Sequence, residues 1–367
     1  ANAKHFPGHG DTATDSHLKL PVLTFDRQRL DSVELYPYKR VFDAGMASVM
    51  TAHLSIPVLE SNPKLPTSLS PSVVTDLLKE ELGFLGLIFT DGLNMKGAAD
   101  YSSSAEIDLA AVLAGNDVLL IPQDVPATIS LMKNSIQTGV LSPERIDESV
   151  RKILLAKYKV GLHFHKPIDT LNLVKDLNTI EDEVLHRELV KNSITIIKNK
   201  KNILPIEDLK KHKKIAYVAL GDDTGDQFLD ALAKYSKIHK VDSNNLNEVI
   251  DTLEDFDLVV VGFHKSNAHP WKPYEFSNQE LVWLHEIARK NKTILAVFAS
   301  PYSLLNIKSF TNLEAVLVAY QNSEIAQEIT AQTIFGAIEA SGKLPISIKN
   351  EFPVGTGIIT KSLQRLQ

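Results

Sequence analysis

Residues 86–95 read Gly-Leu-Ile-Phe-Thr-Asp-Gly-Leu-Asn-Met, a short apolar run that ends in Asp91 and continues directly into a glycine. Similar apolar runs occupy residues 47–51 and 118–121. Amphipathic helices are predicted at 72–82, 105–114, 127–138 and 143–157. Apolar strands that alternate with helices are typical of βα units around a parallel sheet. Because such a sheet carries its functional groups at the carboxyl ends of its strands, we expect Asp91 at that edge, together with His53, which follows the run at 47–51.

A second alternating series begins after residue 200 and predicts a separate α/β domain. Its strands are predicted at 215–220, 258–263, 293–299 and 315–319, and its helices at 227–235, 246–253, 278–291 and 325–336. The chain is therefore expected to divide into residues 1–165, a connector at 166–200 and an α/β sandwich at 201–367. The chemistry is predicted in the first part, because the polar clusters at strand ends are concentrated there. In the sandwich, His264 and His269 flank a strand end near Trp271, and a surface loop is the preferred interpretation for them.

The composition argues against several classes of protein. A formal net charge of −6 disfavours binding to nucleic acid or to an anionic membrane, since both partners are negatively charged. The chain has no cysteine, which excludes disulfides and thiolate chemistry, and no apolar run reaches the roughly 20 residues that cross a bilayer. It opens on Ala1 rather than on methionine, so we expect a fragment or a processed product, from which a targeting segment could have been lost.

The densest polar segment is residues 4–17, Lys-His-Phe-Pro-Gly-His-Gly-Asp-Thr-Ala-Thr-Asp-Ser-His, with three histidines and two aspartates. Its glycines and proline predict a specific, tightly folded backbone rather than a solvated loop. Histidine and aspartate at short spacing can also bind zinc. However, the chain has no cysteine and no His-Glu-x-x-His motif, and Lys4 beside His5 would repel a cation. We therefore expect neither a metal site nor a cofactor.

Asp15 and His17 are two residues apart, which places their side chains on the same side of an extended segment. A carboxylate beside an imidazole fixes its tautomer and favours the protonated ring, so this pair suits a general acid/base near neutral pH. A purely structural Asp–His hydrogen bond fits the same spacing. The role of Asp91 is equally undecided at this point, because a carboxylate at a strand end can attack an anomeric carbon or can cap the next helix.

Several of these segments resemble one family. Residues 4–12, followed by Asp15-Ser16-His17, closely resemble the signature of family 3 glycoside hydrolases, in particular the bacterial β-N-acetylglucosaminidases. Residues 90–95 resemble the nucleophile segment of that family, and residues 51–53 lie between the two segments, as they do there. Residues 192–205 and 342–345 resemble the start and the closing motif of the family's C-terminal sandwich.

The resemblance implies a retaining β-N-acetylhexosaminidase that releases terminal β-linked N-acetylglucosamine, with peptidoglycan fragments as its carbohydrate substrates. It implies that Asp91 is the nucleophile that forms a glycosyl-enzyme, and that His17, held by Asp15, is the acid/base. Two alternatives stay open. One is a phosphorylase on the same scaffold, because a histidine acid/base does not repel the incoming phosphate as a second carboxylate would. The other is an inactive accessory fragment. The compartment also stays open, between the bacterial cytoplasm and the periplasm or secretion.

Four further residues are implied as sugar-binding positions. Lys4 and His5 would hydrogen-bond sugar hydroxyls, with His53 and Met95 lining the same pocket. The family's barrel has eight βα units, whereas about four strand ends can be placed here, the first at Lys4-His5. The resemblance therefore implies the C-terminal half of a (β/α)8 TIM barrel, followed by the α/β sandwich. We expect the other half, with further sugar-binding residues, in a longer parent protein or in another chain.

Overall fold

The computed structural model of the chain describes residues 1–12, 14–209, 214–266, 272–363 and 365. Contacts between residues divide the chain into two units, residues 1–168 and residues 169–367. Within the described ranges, no helix combines the length and the apolar character that are needed to cross a membrane.

The first unit is built on a four-stranded sheet whose neighbouring strands are parallel. The strands follow one another across the sheet in chain order: β1 (Asn2–Phe6), β2 (Ser48–Thr51), β3 (Leu87–Gly92) and β4 (Val118–Leu120). The prediction of a parallel α/β sheet is thus confirmed, and the strand expected at Lys4-His5 is β1. Because the strands run in the same direction, their carboxyl ends lie at one edge of the sheet.

Helices occupy the connections between these strands. They are α1 (Arg27–Arg29), α2 (Tyr36–Asp43), α3 (Lys96–Ala99), α4 (Ser104–Ala114), α5 (Val125–Gln137) and α6 (Pro143–Lys159), with π-helical segments at Leu30–Glu34 and Ser72–Glu81 and 3-10 turns at Thr67–Leu69 and Leu162–Phe164. Ser142 caps α6 by accepting a hydrogen bond of 3.2 Å from the backbone N–H of Arg145. The helices between residues 27 and 43 lie outside the segments assigned from the sequence, and Pro37 stands in the first turn of α2, where proline is tolerated.

Alternation along β3 decides which way Asp91 faces. Ile88 is fully buried beside Val49 of β2, in the apolar core that the π-helical segment Ser72–Glu81 covers. Successive side chains of a strand point to opposite faces of the sheet. Phe89 and Asp91 therefore share the other face, where both are half-buried. The aspartate lies at the carboxyl edge of the sheet, on the face away from that core.

The second unit contains a six-stranded sheet with the order β5-β10-β9-β8-β6-β7. Its strands are β5 (Thr195–Asn199), β6 (Ile215–Gly221), β7 (Ile238–Lys240), β8 (Leu258–His264), β9 (Thr293–Phe298) and β10 (Leu313–Val318). Its helices are α7 (Leu173–Leu177), α8 (Ile180–Ser193), α9 (Asp226–Ala233), α10 (Leu246–Leu253), α11 (Asn278–Lys290) and α12 (Glu324–Ile334), with 3-10 turns at Lys200–Asn202 and Pro301–Asn306. Every residue of β8 is buried, as expected for a parallel strand that helices cover on both faces.

Helices α7 and α8 and strand β5 of the second unit lie inside the segment predicted as a connector, residues 166–200. Strand β5 pairs antiparallel with β10. Helix α8 is joined to α12 by an ion pair of 2.8 Å between Arg187 Nη1 and Glu328 Oε2. The second sheet therefore begins at Thr195, before the predicted boundary at residue 201. The local pattern cannot reveal this, since the partner of β5 lies far along the chain.

His264 does not lie in a surface loop, so that part of the prediction is wrong. It is the last residue of β8 and is fully buried. Its Nε2 lies 2.8 Å from the Tyr217 hydroxyl, and its Nδ1 lies 2.8 Å from Asn322 Oδ1. Burial lowers the pKa of His264 and keeps the ring neutral. His269 and Trp271, the other residues of that prediction, lie outside the described residues.

Candidate active site

Asp91 lies at the carboxyl end of β3, and His5 lies near that of β1. Strand β2 separates them, and the two side chains approach across it, with His5 Nε2 at 3.8 Å from Asp91 Oδ2. The other carboxylate oxygen, Oδ1, accepts a hydrogen bond of 2.8 Å from the backbone N–H of Gly92. The Asp91 side chain keeps 16% of its surface exposed. The backbone therefore orients this carboxylate while leaving it open to a ligand.

His5 is neutral beside this carboxylate. Burial lowers the pKa of His5, an effect that the negative charge of Asp91 opposes and the positive charge of Lys4 reinforces. A neutral imidazole can donate one hydrogen bond and accept another. His5 is thus suited to contact a hydroxyl group, to which it can donate one hydrogen bond and from which it can accept another.

A cavity of about 1220 Å³ opens at this edge of the sheet. Six of the seven predicted site residues are among those that line it: Lys4, His5, Asp15, His17, Asp91 and Met95. They come from β1, from the loop that follows it and from the end of β3, so distant stretches of the chain meet there. Several polar residues without a predicted role also line the cavity, among them His9, Arg29 and Glu34. Within the part of the chain that the structure describes, no three His, Asp or Glu side chains are grouped to bind a metal ion.

Asp15 and His17 form a hydrogen-bonded pair. Asp15 Oδ1 accepts one bond of 2.9 Å from the backbone N–H of His17 and one of 2.8 Å from His17 Nδ1. These two bonds lower the pKa of Asp15, so the carboxylate stays charged across the neutral range. Because Nδ1–H is donated to the carboxylate, Nε2 is the ring atom that can exchange a proton. Both side chains are accessible, with 58% of His17 and 42% of Asp15 exposed.

His53 is fully buried and is not among the residues that line the cavity. Its Nε2–H donates to the carbonyl oxygen of Gly92 at 3.0 Å, and its Nδ1 accepts from the Ser68 hydroxyl at 2.7 Å. Burial lowers the pKa of His53, in keeping with the neutral tautomer that this pattern requires. The residue thus anchors the backbone next to Asp91, whereas the sequence predicts a side chain that lines the pocket.

His9 belongs to the polar segment at residues 4–17, but its partners are visible only in the structure. Its Nδ1 lies 2.8 Å from the Thr12 hydroxyl, and its Nε2 lies 3.3 Å from the Ser16 hydroxyl. Its ring meets that of His5 edge-on, with 5.9 Å between the centroids. His9 therefore connects the start of the loop to the residue between Asp15 and His17. The only sequence signal for it is the crowding of histidines in this segment.

Arg29 and Glu34 support the same loop from the stretch that the sequence pattern leaves unassigned. Arg29 Nη2 lies 3.0 Å from Glu34 Oε1 and 3.4 Å from Asp11 Oδ2. Gly8 packs against Glu34 with a φ of +146°, and a β-carbon added to it would lie 2.8 Å from the Glu34 side chain. Position 8 therefore requires glycine, and the loop sits directly on Glu34. No local pattern in the sequence indicates this contact.

Two family models match the chain in succession. Residues 1–156 match the glycosyl hydrolase family 3 N terminal domain, and residues 194–356 match the glycosyl hydrolase family 3 C-terminal domain. The first match contains the parallel sheet and its cavity, and the second contains the whole six-stranded sheet. The chain belongs to glycoside hydrolase family 3, and the family predicted from the sequence is confirmed.

Named relatives differ in how much of this chain they match. The Beta-N-acetylglucosaminidase/beta-glucosidase of Cellulomonas fimi is 25% identical over an alignment of 382 residues, which covers 94% of this chain and 65% of that protein. Beta-hexosaminidase A of Pseudoalteromonas piscicida is also 25% identical, over 95% of this chain and 65% of its own length. A Beta-hexosaminidase of Nitrosomonas eutropha is 33% identical over 36% of this chain. The chain thus spans about 65% of the length of the first two relatives.

Solved structures are similar to the chain over most of its residues. A glycoside hydrolase family 3 beta-N-acetylglucosaminidase from Paenibacillus sp. has a TM-score of 0.75 at 26% identity, covering 95% of this chain and 67% of that one. A beta-glucoside phosphorylase has a TM-score of 0.80 at 22% identity, covering 95% of this chain and 66% of that one. The likeness to the phosphorylase concerns the fold alone, because the identity is low.

Proposed function

We propose that the protein containing this chain is a retaining β-N-acetylglucosaminidase that hydrolyses terminal β-linked N-acetylglucosamine. The observation that carries the proposal is that Asp91 and the Asp15–His17 pair line one cavity. A retaining glycosidase needs a nucleophilic carboxylate and an acid/base group around one anomeric carbon. The names of the relatives, among them beta-hexosaminidases and a beta-N-acetylglucosaminidase, support this choice of sugar.

In the first step, Asp91 attacks the anomeric carbon. A bond forms between that carbon and a carboxylate oxygen while the bond to the leaving oxygen breaks. The Gly92 N–H, which binds Oδ1 at 2.8 Å, keeps the carboxylate in one orientation during the approach. The proton that the leaving oxygen needs comes from His17 Nε2. The products are a glycosyl-enzyme at Asp91 and the free aglycone.

In the second step, water attacks the same carbon and the bond to Asp91 breaks. His17 Nε2, which is neutral after the first step, takes the proton of the water. Asp15 stays negatively charged throughout, because its bonds from His17 lower its pKa. It therefore orients the ring and stabilises the imidazolium in both directions of proton transfer. Two inversions at one carbon retain the β configuration.

Four side chains divide the work of sugar binding. We assign Lys4 and His5, which line the cavity on β1, to the sugar hydroxyls. Met95 also lines the cavity but is only 8% exposed, so it offers a small apolar contact. His53 acts indirectly in this proposal: it holds the Gly92 carbonyl and thereby the segment that carries Asp91.

Two finer parts of the proposal concern the scaffold and the substrate. Parallel strands in chain order, joined by helical connections, are the arrangement of neighbouring strands in a (β/α)8 barrel, and we place β1 to β4 in such a barrel. The half-buried face of Phe89 and Asp91 would then face the barrel interior. As natural substrates we propose peptidoglycan fragments that end in β-linked N-acetylglucosamine.

The test uses the full-length protein that contains this chain. It is incubated with N-acetylglucosaminyl-anhydromuramic fragments and, for comparison, with β-glucosides. We expect N-acetylglucosamine to be released in the β configuration and Asp91 to be labelled by an activated fluoro-glycoside. Formation of a sugar 1-phosphate in phosphate buffer would identify a phosphorylase instead. Labelling of a different carboxylate would overturn the assignment of Asp91.

A further inference from the structure

The segment that carries Asp91 and the segment that carries the acid/base pair are joined by one backbone hydrogen bond. The N–H of Gly97, in helix α3, donates to the carbonyl oxygen of Ser16 at 3.1 Å. Ser16 lies between Asp15 and His17 in the chain and is only 6% exposed. Since the two neighbouring side chains are accessible, Ser16 is the part of this segment that the fold buries.

The contact crowds the space that a side chain at position 97 would enter. A β-carbon on Gly97 would lie 3.1 Å from the Ser16 carbonyl oxygen and 3.1 Å from His53 Cβ. These distances are shorter than ordinary van der Waals contacts. Gly97 lies in a helix and has no positive φ, so the backbone conformation by itself does not demand glycine. The close approach of Ser16 on one side and His53 on the other favours it, because one of these neighbours would have to shift by a few tenths of an ångström to accept a β-carbon.

Of these two neighbours, His53 is the one that cannot move. It is fully buried, and both of its ring nitrogens are hydrogen-bonded, to Ser68 at 2.7 Å and to the Gly92 carbonyl at 3.0 Å. Ser16 lies in a partly accessible segment, and its hydroxyl has a longer contact of 3.3 Å with His9 Nε2. A methyl group at position 97 would therefore displace Ser16, and with it the pair on either side.

We propose that Gly97 is a positioning residue that acts through Ser16 to set the distance between His17 and Asp91. The inference rests on the proposed function and deepens it, because it adds a residue that the reaction needs but that touches no substrate. Gly97 belongs to the same chain segment as Asp91, and its N–H holds Ser16, which lies between Asp15 and His17. One hydrogen bond therefore fixes the acid/base pair to the segment that carries the nucleophile. Misplacing a catalytic group by about 1 Å can cost a factor of ~10² in rate.

The test is Gly97→Ala in the full-length protein, assayed on two β-N-acetylglucosaminides. An alkyl aglycone needs a proton from His17 to depart, whereas a dinitrophenyl aglycone departs without one. Because contacts of 3.1 Å require a shift of a few tenths of an ångström, we expect kcat/KM for the alkyl substrate to fall by about threefold to tenfold, and that for the dinitrophenyl substrate by less than about twofold. Azide attacks a glycosyl-enzyme without a general base, so it is expected to raise kcat of the variant on the dinitrophenyl substrate.

Gly86→Ala is the control for strain that arises away from the site. A β-carbon on Gly86 would be more crowded than one on Gly97, at 2.5 Å from the Ala47 carbonyl oxygen, but it lies just before β3, at the opposite end of the strand from Asp91. We expect this variant to change both substrates equally, because it strains the fold without moving the pair. If Gly97→Ala does not accumulate as folded protein, Ser16→Gly loosens the same link from the other side. It should lower kcat/KM for the alkyl substrate selectively, by about threefold to tenfold.

The outcomes separate this inference from the proposed function. Equal losses on both substrates for Gly97→Ala, as for Gly86→Ala, would leave Gly97 with a structural role only. If His17→Ala depends on the leaving group and Gly97→Ala does not, the positioning role alone fails. If His17→Ala shows no such dependence, the acid/base assignment fails first, and the positioning role fails with it. An inactive wild-type protein would overturn both.

Discussion

Two strand ends that look alike in the sequence behave in opposite ways. Strands β3 and β8 are both apolar, and both pair in parallel with the strands on either side. Both also carry a titratable residue near the carboxyl end, Asp91 and His264. The Asp91 side chain keeps 16% of its surface exposed at a cavity, whereas His264 is fully buried. The end of a parallel strand thus offers a position for chemistry, but the packing above it decides whether a ligand can reach that position.

The packing around His264 closes every direction of approach to the ring. Tyr217 and Asn322 bond its two nitrogens, and Phe298 stacks on it with 4.6 Å between centroids. A β-carbon on Gly225 would lie 2.6 Å from His264 Nε2, so a glycine there lets the backbone seal the site. Near Asp91, a glycine helps to keep the site open: Gly97 lets the segment of Asp91 approach that of Asp15 and His17 without filling the cavity.

The largest effect expected from this comparison is the loss of the nucleophile. Asp91→Ala should lower kcat/KM by about 10⁴-fold or more, because no other group forms the glycosyl-enzyme. His264→Leu should leave kcat/KM within about tenfold, below the ~10²–10⁴ that the loss of a general acid costs. Both are measured in the full-length protein on the same substrate. A thousandfold loss for His264→Leu would place essential chemistry in the second unit and break the comparison.

The next effect concerns the acid/base pair. His17→Ala should lower kcat/KM by about 10²–10⁴ for an alkyl aglycone and only slightly for a dinitrophenyl aglycone. Asp15→Asn keeps a hydrogen-bond acceptor but removes the charge, so the decline of activity at high pH should begin at a lower pH than in the wild type. Initial rates across the pH range measure this. An unchanged profile would mean that the charge of Asp15 plays no part.

A smaller effect distinguishes the two strand ends by stability. His264→Leu leaves the buried Tyr217 hydroxyl without its partner and should lower the free energy of unfolding by about 1–3 kcal/mol. Asp91→Asn keeps an acceptor for the Gly92 N–H and should change it by less than about 0.5 kcal/mol. Urea unfolding of the full-length proteins provides the measurement. Comparable losses for both variants would remove the distinction between a sealed and an open strand end.

The smallest effect is a dependence of stability on pH. Burial lowers the pKa of His264 below its usual value of 6.5. The negative charge of Asp223 opposes this shift, and the positive charge of Lys240 adds to it. The unfolded chain therefore binds the proton more readily, so this contribution to stability is complete above pH 6.5 and is lost as pH falls towards the folded pKa. Hydrogen exchange in β6 and β8 should thus increase from about pH 7.5 to about pH 5.5, after correction for intrinsic rates.

The control for this dependence is built into the chain. Burial also lowers the pKa values of His5 and His53, so these two residues likewise make the first unit less stable as the pH falls. His264→Leu should therefore flatten the pH dependence in peptides from β6 and β8 but leave that of peptides from β3 unchanged. If it flattens neither, the ring of His264 does not titrate in the unfolding of its sheet.

Features that depend on neighbours along the chain could be predicted from residues alone. The strands expected at 215–220 and 258–263 each end within one residue of β6 and β8, because an apolar run bounded by polar residues is a local signal. Asp15 and His17 are only two residues apart, so their hydrogen bond needs no distant partner. The long motif at residues 4–17 was sufficient to identify the family.

Features that depend on distant partners appeared only in the tertiary structure. The burial of His53 and His264, the pairing of β5 with β10 and the bond from Gly97 to Ser16 all join residues that are far apart in the chain. Each depends on strand register and on how the connections pack over the strand ends, which local patterns do not encode. For the same reason, a histidine that follows a strand looks identical in the sequence whether it faces a cavity or, like His53, holds the backbone next to it.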